Sequence, residues 1–263
     1  MRIIVLVKQV PDTTEIKIDK KTGTLIREGV ESIVNPDDRH AIELALSLKG
    51  EHGGKTTVLS MGPSQAVDAV SEALAMGIDE GILLSDRNFA GADTWATAFT
   101  LGMAVKRIGT YDLIICGRQA IDGDTAQIGP QVAEFLGLPQ LTYVREIEKI
   151  DDKRIEVRRA LEDGYERIAS PLPALITVIG QINKPRFPRV DLLIDACGEK
   201  AKIKVWNVAD LGITVQEVGL IGSLTRVVKT FSPKVKREGE ILQGSKDEVI
   251  AQLVDKMHSK HLI

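Results

Sequence analysis

The sequence predicts an α/β fold built around a doubly wound, mostly parallel sheet. The first observation is a series of short apolar runs rich in β-branched residues, such as residues 2–7, which is typical of strands buried on both faces. The second is that stretches with helical spacing of apolar residues separate these runs, which indicates parallel strands covered by helices on both sides. After Gly137 the pattern changes to an antiparallel hairpin.

The first half of the chain is expected to hold the parallel strands of this three-layer αβα arrangement. The predicted core strands span residues 2–7, 56–61, 81–85 and 112–116. A small hairpin is expected between the first strand and the first helix, from the alternating residues 15–19 and 24–28. Apolar stripes at helical spacing, which start near residues 35, 64, 93 and 125, predict the helices between and after the strands.

The start of the first helix has an unusually clear sequence signal. Asn35 suits the capping position, Pro36 suits the first helical position, and Asp37 and Asp38 suit the positive end of the helix dipole. Asp37 and Asp38 can therefore be dipole partners alone. Alternatively, Asn35 and Asp38 contact a nucleotide.

The second half of the chain is expected to contain a hairpin and a C-terminal arm. Residues 144–150 and 154–161 alternate around a polar turn, which predicts the hairpin. Further elements are expected at residues 173–178, 191–196, 203–206 and 246–259. The patterning after residue 205 is too sparse for an independent core, so we expect a main domain over residues 1–205. Residues 206–263, with a basic stretch at 234–237, would form an arm on a partner subunit.

Composition excludes several classes of function. A net charge of −3, a pI near 5.9 and 4% aromatic residues argue against a nucleic-acid partner. The sequence has no apolar run of the roughly 20 residues that a membrane-spanning helix needs. Its two cysteines, Cys116 and Cys197, are far apart, which indicates a reducing compartment, and we expect a cytoplasmic protein.

The loop at residues 117–127 is the most informative stretch. It joins an apolar strand to a helical pattern, and it holds two glycines, two aspartates, an arginine and two glutamines. The unpaired N–H groups and the dipole of a helix start favour a phosphate at such a position. In a parallel sheet the loops that follow the strands gather at one edge, so residues 8–12, 61–64 and 85–97 are expected beside this loop. The arrangement predicts a Rossmann-like nucleotide-binding domain.

The sequence offers no catalytic side chains of its own. No phosphate loop with Gly-Lys-Ser/Thr, no Gly-x-Gly-x-x-Gly after the first strand and no zinc-ligand spacing are found. Cys116 is the one candidate nucleophile, and at the end of an apolar strand it is more often inert core. This pattern favours a protein that holds a nucleotide cofactor, on which the chemistry takes place.

The loop, together with residues 8–12, 35–38, 159–168 and 173–177, resembles the β subunit of electron transfer flavoproteins over roughly the whole chain. The resemblance implies a heterodimer with a larger α subunit that carries a flavin. The β subunit of this family holds either AMP with a structural role or a second FAD. The Asp122-Gly123-Asp124-Thr125 version of the loop, with Thr94 and Thr97, looks like the electron-bifurcating branch. There FAD accepts a hydride from NADH, and the electrons pass to ferredoxin or flavodoxin and, through the α-subunit flavin, to an acyl-CoA dehydrogenase.

The resemblance and the loop positions together define the candidate cofactor-binding residues. They are Val7, Lys8, Gln9, Asn35, Asp38, Met61, Gly62, Asp93, Thr94, Thr97, Cys116, Gly117, Arg118, Gln119, Ala120, Asp122, Gly123, Asp124, Thr125, Ala126 and Gln127. No catalytic side chain and no metal ligand are expected among them.

Three of these positions bear on the choice between AMP and FAD. Gly123 removes a side chain where a cofactor longer than AMP must continue past the phosphate. Thr94 and Thr97 lie one helical turn apart and can hydrogen-bond a ribityl chain or a flavin ring. Alternatively, Thr94 is only a residue of the helix cap and Thr97 only a surface residue.

Residues 185–198 correspond to the loop by which this family docks onto acyl-CoA dehydrogenases. Val190, Leu192 and Leu193 are apolar residues in this proline-flanked stretch and are the predicted docking residues. Residues 162–164, although diagnostic of the family, are explained by a turn at Asp163 and Gly164. A remote alternative to the whole interpretation is a nucleotide-binding regulator related to the universal stress proteins, without a partner subunit.

Overall fold

A computed structural model describes residues 1–12, 17–18, 25–26, 31–198, 201–228 and 239–263. It divides the chain into two compact units, Met1–Val228 and Lys229–Ile263. The first unit contains the sheet and most of the helices. The described part of the second unit contains one helix, Lys246–Ser259.

The strands and helices follow one another in the alternation that the sequence predicts. The strands are β1 (Arg2–Val7), β2 (Gln9–Pro11), β3 (Lys17–Ile18), β4 (Leu25–Ile26), β5 (Ser32–Val34), β6 (Lys55–Met61), β7 (Glu80–Leu84), β8 (Leu113–Gly117), β9 (Gln140–Ile150), β10 (Arg154–Leu161), β11 (Gly164–Pro171), β12 (Ala174–Val178) and β13 (Ile203–Trp206). The α-helices are α1 (Pro36–His52), α2 (Val67–Met76), α3 (Thr94–Ile108), α4 (Ile128–Leu136), α5 (Val190–Cys197), α6 (Val208–Leu211), α7 (Gly219–Gly222) and α8 (Lys246–Ser259).

The main sheet has nine strands in the order β11-β10-β9-β12-β8-β1-β6-β7-β13. All neighbours from β9 to β13 along this order pair in parallel. The other two strands, β10 and β11, extend the sheet as antiparallel strands beyond β9. The predicted fold class is therefore confirmed, including the antiparallel extension.

The order of the strands creates a crevice at the middle of the sheet. From β1 the chain moves to β6 and β7 on one side and then crosses to β8 on the other side of β1. The connection after β1 leads towards one edge of the sheet, and the connection after β8 leads towards the other edge. Where two neighbouring strands connect in opposite directions, a gap opens at their carboxyl ends, and ligands of open α/β sheets bind in this gap. The carboxyl ends of β1 and β8 thus define the binding edge.

The core consists of two apolar clusters, one on each face of the sheet. Alternate residues of β1 point to opposite faces, so Val5 joins the cluster under α1 and α2 while Leu6 joins the cluster under α3 and α4. The strands are apolar on both faces because helices cover both. This arrangement is the expected three-layer packing.

Some regions outside the central sheet differ from the expected division of the chain. Val208, Leu211, Ile213 and Val218 are buried in the cluster under α3 and α4, so the chain up to Val228 belongs to the first unit. The assignment of residues 206–263 to a partner-bound arm stays a prediction. The predicted small hairpin is present as the antiparallel pair β3 and β4, whereas the rest of that hairpin and the basic stretch at 234–237 lie outside the described residues. Within the described ranges, no helix is both long and apolar enough to cross a membrane.

Candidate functional site

The candidate site lies at the carboxyl ends of β1 and β8. The loop after β8, residues 118–127, leads into α4, and the chain after β1 runs through Lys8 and Gln9. Gln9 Nε2 donates to the backbone oxygen of Gln65, 3.2 Å away, which ties this chain segment to the loop after β6. The loops that the sequence analysis placed at one edge are thus joined by contacts there.

Asp38 connects the two central strands at this edge. Its buried carboxylate accepts hydrogen bonds from the backbone N–H of Lys8 at 2.8 Å and of Gly117 at 2.9 Å. A side chain at position 117 would not fit, because a Cβ there would lie 2.4 Å from Asp38 Oδ1. Burial raises the pKa of Asp38 to about 7, although the two N–H groups oppose the shift. Asp38 therefore orients the backbone around the crevice.

Asn35 fixes the loop rather than capping α1. It occupies the predicted N-cap position before Pro36, but its side chain makes no capping hydrogen bond. Its Nδ2 donates to the backbone oxygen of Gln119 at 2.8 Å, and its Oδ1 accepts from the N–H of Ile121 at 3.0 Å. Asn35 is fully buried, and burial without these partners would leave its amide unsatisfied. The Asn35 side chain therefore binds the backbone of the loop and not the first turn of α1.

The exposed part of the loop is held by two polar contacts. Lys8 Nζ donates to both carboxylate oxygens of Asp122 at 2.7 Å, and Gln119 Nε2 donates to Asp124 Oδ1 at 2.7 Å. Asp124 and Ala126 adopt left-handed backbone conformations, with φ of 48° and 52°. Gly123 lies at the tip of this loop, where an added Cβ would meet nothing within 4 Å. A side chain at position 123 would therefore extend into open space.

The starts of α3 and α4 meet at this loop. Asp93 caps α3 by accepting from the N–H of Ala96 at 2.9 Å, and its second oxygen accepts from Thr225. Thr94 Oγ1 donates to Gln127 Oε1 at 3.0 Å. Thr94 is thus more than a residue of the cap, because it joins the two helix starts. Thr97 lies one turn further along α3 and is half-buried.

Several buried polar atoms at this edge have no hydrogen-bond partner among the described residues. They are Ser60 Oγ near the end of β6, Arg118 Nε at the end of β8 and Gln131 Oε1 in α4. Arg118 Nε lies 3.8 Å from the carboxylate of Asp37, beyond hydrogen-bonding distance. Buried polar atoms in native proteins are normally satisfied by protein, water or a ligand, so these three atoms have capacity for a further polar partner.

The remaining predicted residues fall into two groups. Val7 and Cys116 are buried in β1 and β8, and burial raises the pKa of the Cys116 thiol, so Cys116 is a core residue and no nucleophile. Met61 and Gly62 end β6 at the binding edge, and Ala120 and Thr125 belong to the loop itself. The described residues contain no group of three or more His, Cys, Asp or Glu side chains that could hold a metal ion.

Two residues near the site were missed by the sequence analysis. Gln131 Nε2 donates to Thr94 Oγ1 at 3.3 Å, and its position one helical turn after Gln127 is a signal that could have revealed it. Tyr143 has a left-handed backbone with φ of 57°, and the Arg118 guanidinium lies 5.9 Å from its ring centre. The backbone N–H of Tyr143 donates to Thr177 Oγ1 at 3.0 Å. No sequence pattern indicates a left-handed tyrosine inside a strand.

A second candidate surface lies on α5 and the chain before it. Val190 and Leu193 are exposed, as predicted, whereas Leu192 is only partly exposed. Phe187 and Ile194, which the sequence analysis did not single out, are exposed by 89% and 68%. Val190 and Ile194 are four residues apart in α5 and therefore share one side of the helix. Together with the exposed Phe187 of the segment just before α5, they are called the α5 face below.

Comparison with protein families and with characterised proteins gives a consistent result. Residues 22–211 match the model of the electron transfer flavoprotein domain. The chain is 53% identical to the electron transfer flavoprotein subunit beta of Thermoanaerobacterium thermosaccharolyticum over 263 residues, which cover all of both chains. It is 51% identical to the caffeyl-CoA reductase-Etf complex subunit CarD of Acetobacterium woodii, again over the whole of both chains. It is also 44% identical to the acryloyl-CoA reductase electron transfer subunit gamma of Anaerotignum propionicum, with both chains fully covered.

Proposed function

Because this chain belongs to the electron transfer flavoprotein family as a β subunit, we propose that it binds FAD at the carboxyl ends of β1 and β8. In this proposal FAD takes electrons from NADH and bifurcates them. One route leads to ferredoxin or flavodoxin, and the other leads through the α-subunit flavin to an acyl-CoA dehydrogenase. The observation that carries the proposal is the meeting of the loop after β8 with Lys8, Asn35 and Thr94 at the carboxyl ends of the central strands, where Arg118 Nε keeps an unused hydrogen-bond donor among the described residues.

The residues at this edge fit a nucleotide that carries a diphosphate. The first N–H groups of α4 have no partner within the helix, and the dipole of α4 favours an anion. Arg118 contributes a guanidinium whose Nε lacks a hydrogen-bond partner among the described residues. Arginine is well suited to phosphate because its N–H groups match the geometry of two oxygens. We therefore assign the diphosphate to the loop and the start of α4, and charge balance to Arg118.

The chain's own residues hold and orient the cofactor. FAD supplies the chemistry when it is bound, because its ring exchanges two electrons as a hydride or single electrons in turn. Both carboxylate oxygens of Asp38 and both polar atoms of the Asn35 amide bind backbone groups of Lys8, Gly117 or the loop, so we assign these two side chains to positioning the loop. Thr94 and Thr97 line the start of α3 and are assigned to the ribityl chain or the flavin ring.

The choice of FAD over AMP rests on the tip of the loop. Gly123 has open space where a Cβ would lie, so a ligand longer than AMP meets no side chain at this position. The name of the relative CarD, a subunit of a caffeyl-CoA reductase-Etf complex, associates a close sequence with a reductase complex. AMP with a purely structural role is the second candidate, since the same helix start and loop suit its single phosphate.

The partners follow from the family and from the α5 face. We assign the α subunit as the obligate partner and, because the chain up to Val228 belongs to the first unit, residues 229–263 as the arm that binds it. We assign the α5 face, together with Leu192 and Leu193, to docking of the acyl-CoA dehydrogenase, because exposed apolar strips of this kind mark interfaces. Two free cysteines are consistent with the cytoplasm as the compartment.

Anaerobic titration of the purified heterodimer with NADH tests the proposal. We expect NADH to bleach the visible absorbance of the flavin without a dehydrogenase or an added dye. Substitution of Arg118 by Gln should reduce the rate of bleaching, whereas substitution of the remote Arg154, an exposed residue of β10, should not change it. A heterodimer whose flavin absorbance does not respond to NADH, and which releases AMP on denaturation, would contradict the proposal.

A further inference from the structure

The chain segment that carries the α5 face is attached to the main body in an unusual way. Residues 184–197 run over a cavity of about 800 Å³ between α1 and α2, and Phe187 and Leu193 line this cavity. Pro185 and Pro188 have no N–H to donate, so the segment before α5 has little capacity for regular backbone pairing. The orientation of the α5 face therefore depends on the contacts at the two ends of the segment.

The end before α5 is attached by a polar cluster on α1. Asn183 Nδ2 donates to the backbone oxygen of His40 at 2.9 Å. Arg186 donates three hydrogen bonds to Glu43: from its backbone N–H to Oε2 at 3.0 Å, from Nε to Oε2 at 2.8 Å and from a terminal nitrogen to Oε1 at 2.9 Å. These three bonds fix both the side chain and the backbone of Arg186 between its two prolines.

The end within α5 is attached by apolar packing. Ala196 is buried in the cluster under α1 and α2, and the N–H of Arg189 donates to the backbone oxygen of Ala75 in α2 at 2.9 Å. The apolar face of α5 consequently points away from the core, with Phe187, Val190 and Ile194 exposed. The chain thus presents the α5 face from two anchors with a cavity between them.

An ion pair that is buried only on the Glu43 side, with the Arg186 side chain 47% exposed, contributes more to geometry than to stability. The Glu43 side chain is only 11% exposed, so the cost of removing its carboxylate from water offsets much of the attraction to Arg186, which water also screens. Burial raises the pKa of Glu43, but the hydrogen bonds from Arg186 outweigh burial and hold that pKa below its usual range. Glu43 is accordingly ionised at neutral pH, and its two oxygens match the planar fork of an arginine.

We propose that Glu43 and Arg186 form a positioning clamp that holds the α5 face in the orientation required for docking of an acyl-CoA dehydrogenase. The inference rests on the proposed function, because it assigns a dehydrogenase to this face. Neither residue contacts the nucleotide edge at β1 and β8. The clamp reduces the conformational freedom that the segment would otherwise lose on docking, and such preorganisation strengthens binding without any new contact.

Steady-state kinetics with the heterodimer as the varied substrate test the clamp. The probe is an acyl-CoA dehydrogenase, reduced by its own acyl-CoA, that transfers electrons to the wild-type heterodimer. Arg186→Lys keeps the positive charge opposite Glu43 but loses the fork, and Arg186→Gln loses both. Arg154→Lys, at an exposed ion pair with Glu156 on β10, is the matched control.

We expect both Arg186 variants to raise the KM for the heterodimer, by about tenfold for Arg186→Gln and less for Arg186→Lys, because docking then has to order the segment. The kcat and the bleaching by NADH should match the wild type and the control. An unchanged KM in both variants would overturn the clamp. A rise in KM accompanied by a lower kcat and by weaker NADH bleaching would also overturn it, since that result indicates a general role in folding.

The wild-type protein separates failure of the clamp from failure of the proposed function. A panel of acyl-CoA dehydrogenases for short to long chain lengths is tested with the wild-type heterodimer. If no member of the panel exchanges electrons with it, the dehydrogenase assignment and the clamp are both overturned. A wild-type heterodimer that is active, with Arg186 variants of equal KM, leaves the proposed function intact and overturns the clamp alone.

Discussion

Asp38 makes the binding edge sensitive to pH. Its pKa is about 7 in the folded protein, above the ordinary value of 3.8, so the folded state holds the proton more tightly than the unfolded state. The free energy of unfolding should therefore fall as pH rises from about 4 to 7, with a slope on the order of 1.4 kcal/mol per pH unit from this group. Above pH 7 the contribution becomes constant.

Urea unfolding of the wild type and of Asp38→Asn between pH 5 and 8 measures this contribution. Asparagine does not titrate, so the difference in unfolding free energy between the two proteins should change with pH up to about 7 and then level off. A difference that is the same at every pH would show that the carboxyl of Asp38 titrates at its ordinary value.

Gly123 is the single position on which the choice of cofactor depends most. An aspartate at position 123 meets no described atom of the chain near its Cβ, so Gly123→Asp should leave the fold intact, with a change in stability within about 0.5 kcal/mol. It places a negative charge and added volume beside the proposed diphosphate. We expect the flavin bound to this chain to be lost, whereas Gly123→Ala should retain most of it. Full retention in Gly123→Asp, measured by flavin absorbance after gel filtration, would contradict the proposed path of the cofactor.

Helices α3 and α4 bring Thr94 and Gln127 together, and their contact depends on Gly102. A Cβ at position 102 would lie 2.2 Å from Cδ1 of Phe135 in α4. Gly102→Ala should therefore destabilise the chain by about 1–3 kcal/mol and weaken cofactor retention. Gly50→Ala in α1, where a Cβ has open space, is the control and should be neutral or stabilising by up to about 1 kcal/mol. Thermal unfolding of both variants measures this difference. Equal unfolding temperatures for Gly102→Ala and Gly50→Ala would contradict the close packing of Gly102 against Phe135.

The regular elements could be predicted because buried positions recur at regular intervals in strands and helices, and apolar residues mark these positions in the sequence. β1 has the predicted bounds, and α8 begins and ends where its pattern indicates, with Ser245 and Glu248 capping each other. The predicted turn at Asp163 and Gly164 is also present, since β10 ends at Leu161 and β11 begins at Gly164. A strand segment on each side of this turn is expected, but the bounds of β11 could not be predicted, because its residues are mostly exposed and carry no alternation.

The polar interior of the site was harder to predict. Asn35 has the sequence context of a cap, yet a loop more than 80 residues away takes its side chain, as its contact with Gln119 shows. A hydrogen bond between residues so far apart in the chain leaves no signal in the local sequence. The same reason applies to Glu43 and Arg186, which are 143 residues apart in the chain.

The order of strands in the whole sheet connects the fold with the function. The reversal between β1 and β8 follows from the alternation of strands and helices only once the position of β1 at the centre is known. The general rule for parallel sheets predicts from the sequence that the loops gather at one edge. The structure adds which two strands open and which side chains, Asp38 and Asn35, hold the loop beside them.

The nucleotide content of the purified heterodimer is the most direct test of the central claim. Denaturation of the complex followed by chromatography of the released nucleotides gives moles of FAD and AMP per heterodimer. We predict two FAD and no AMP, with one FAD lost in Gly123→Asp. One FAD and one AMP per heterodimer would contradict the claim and assign this chain to the electron carriers that hold AMP.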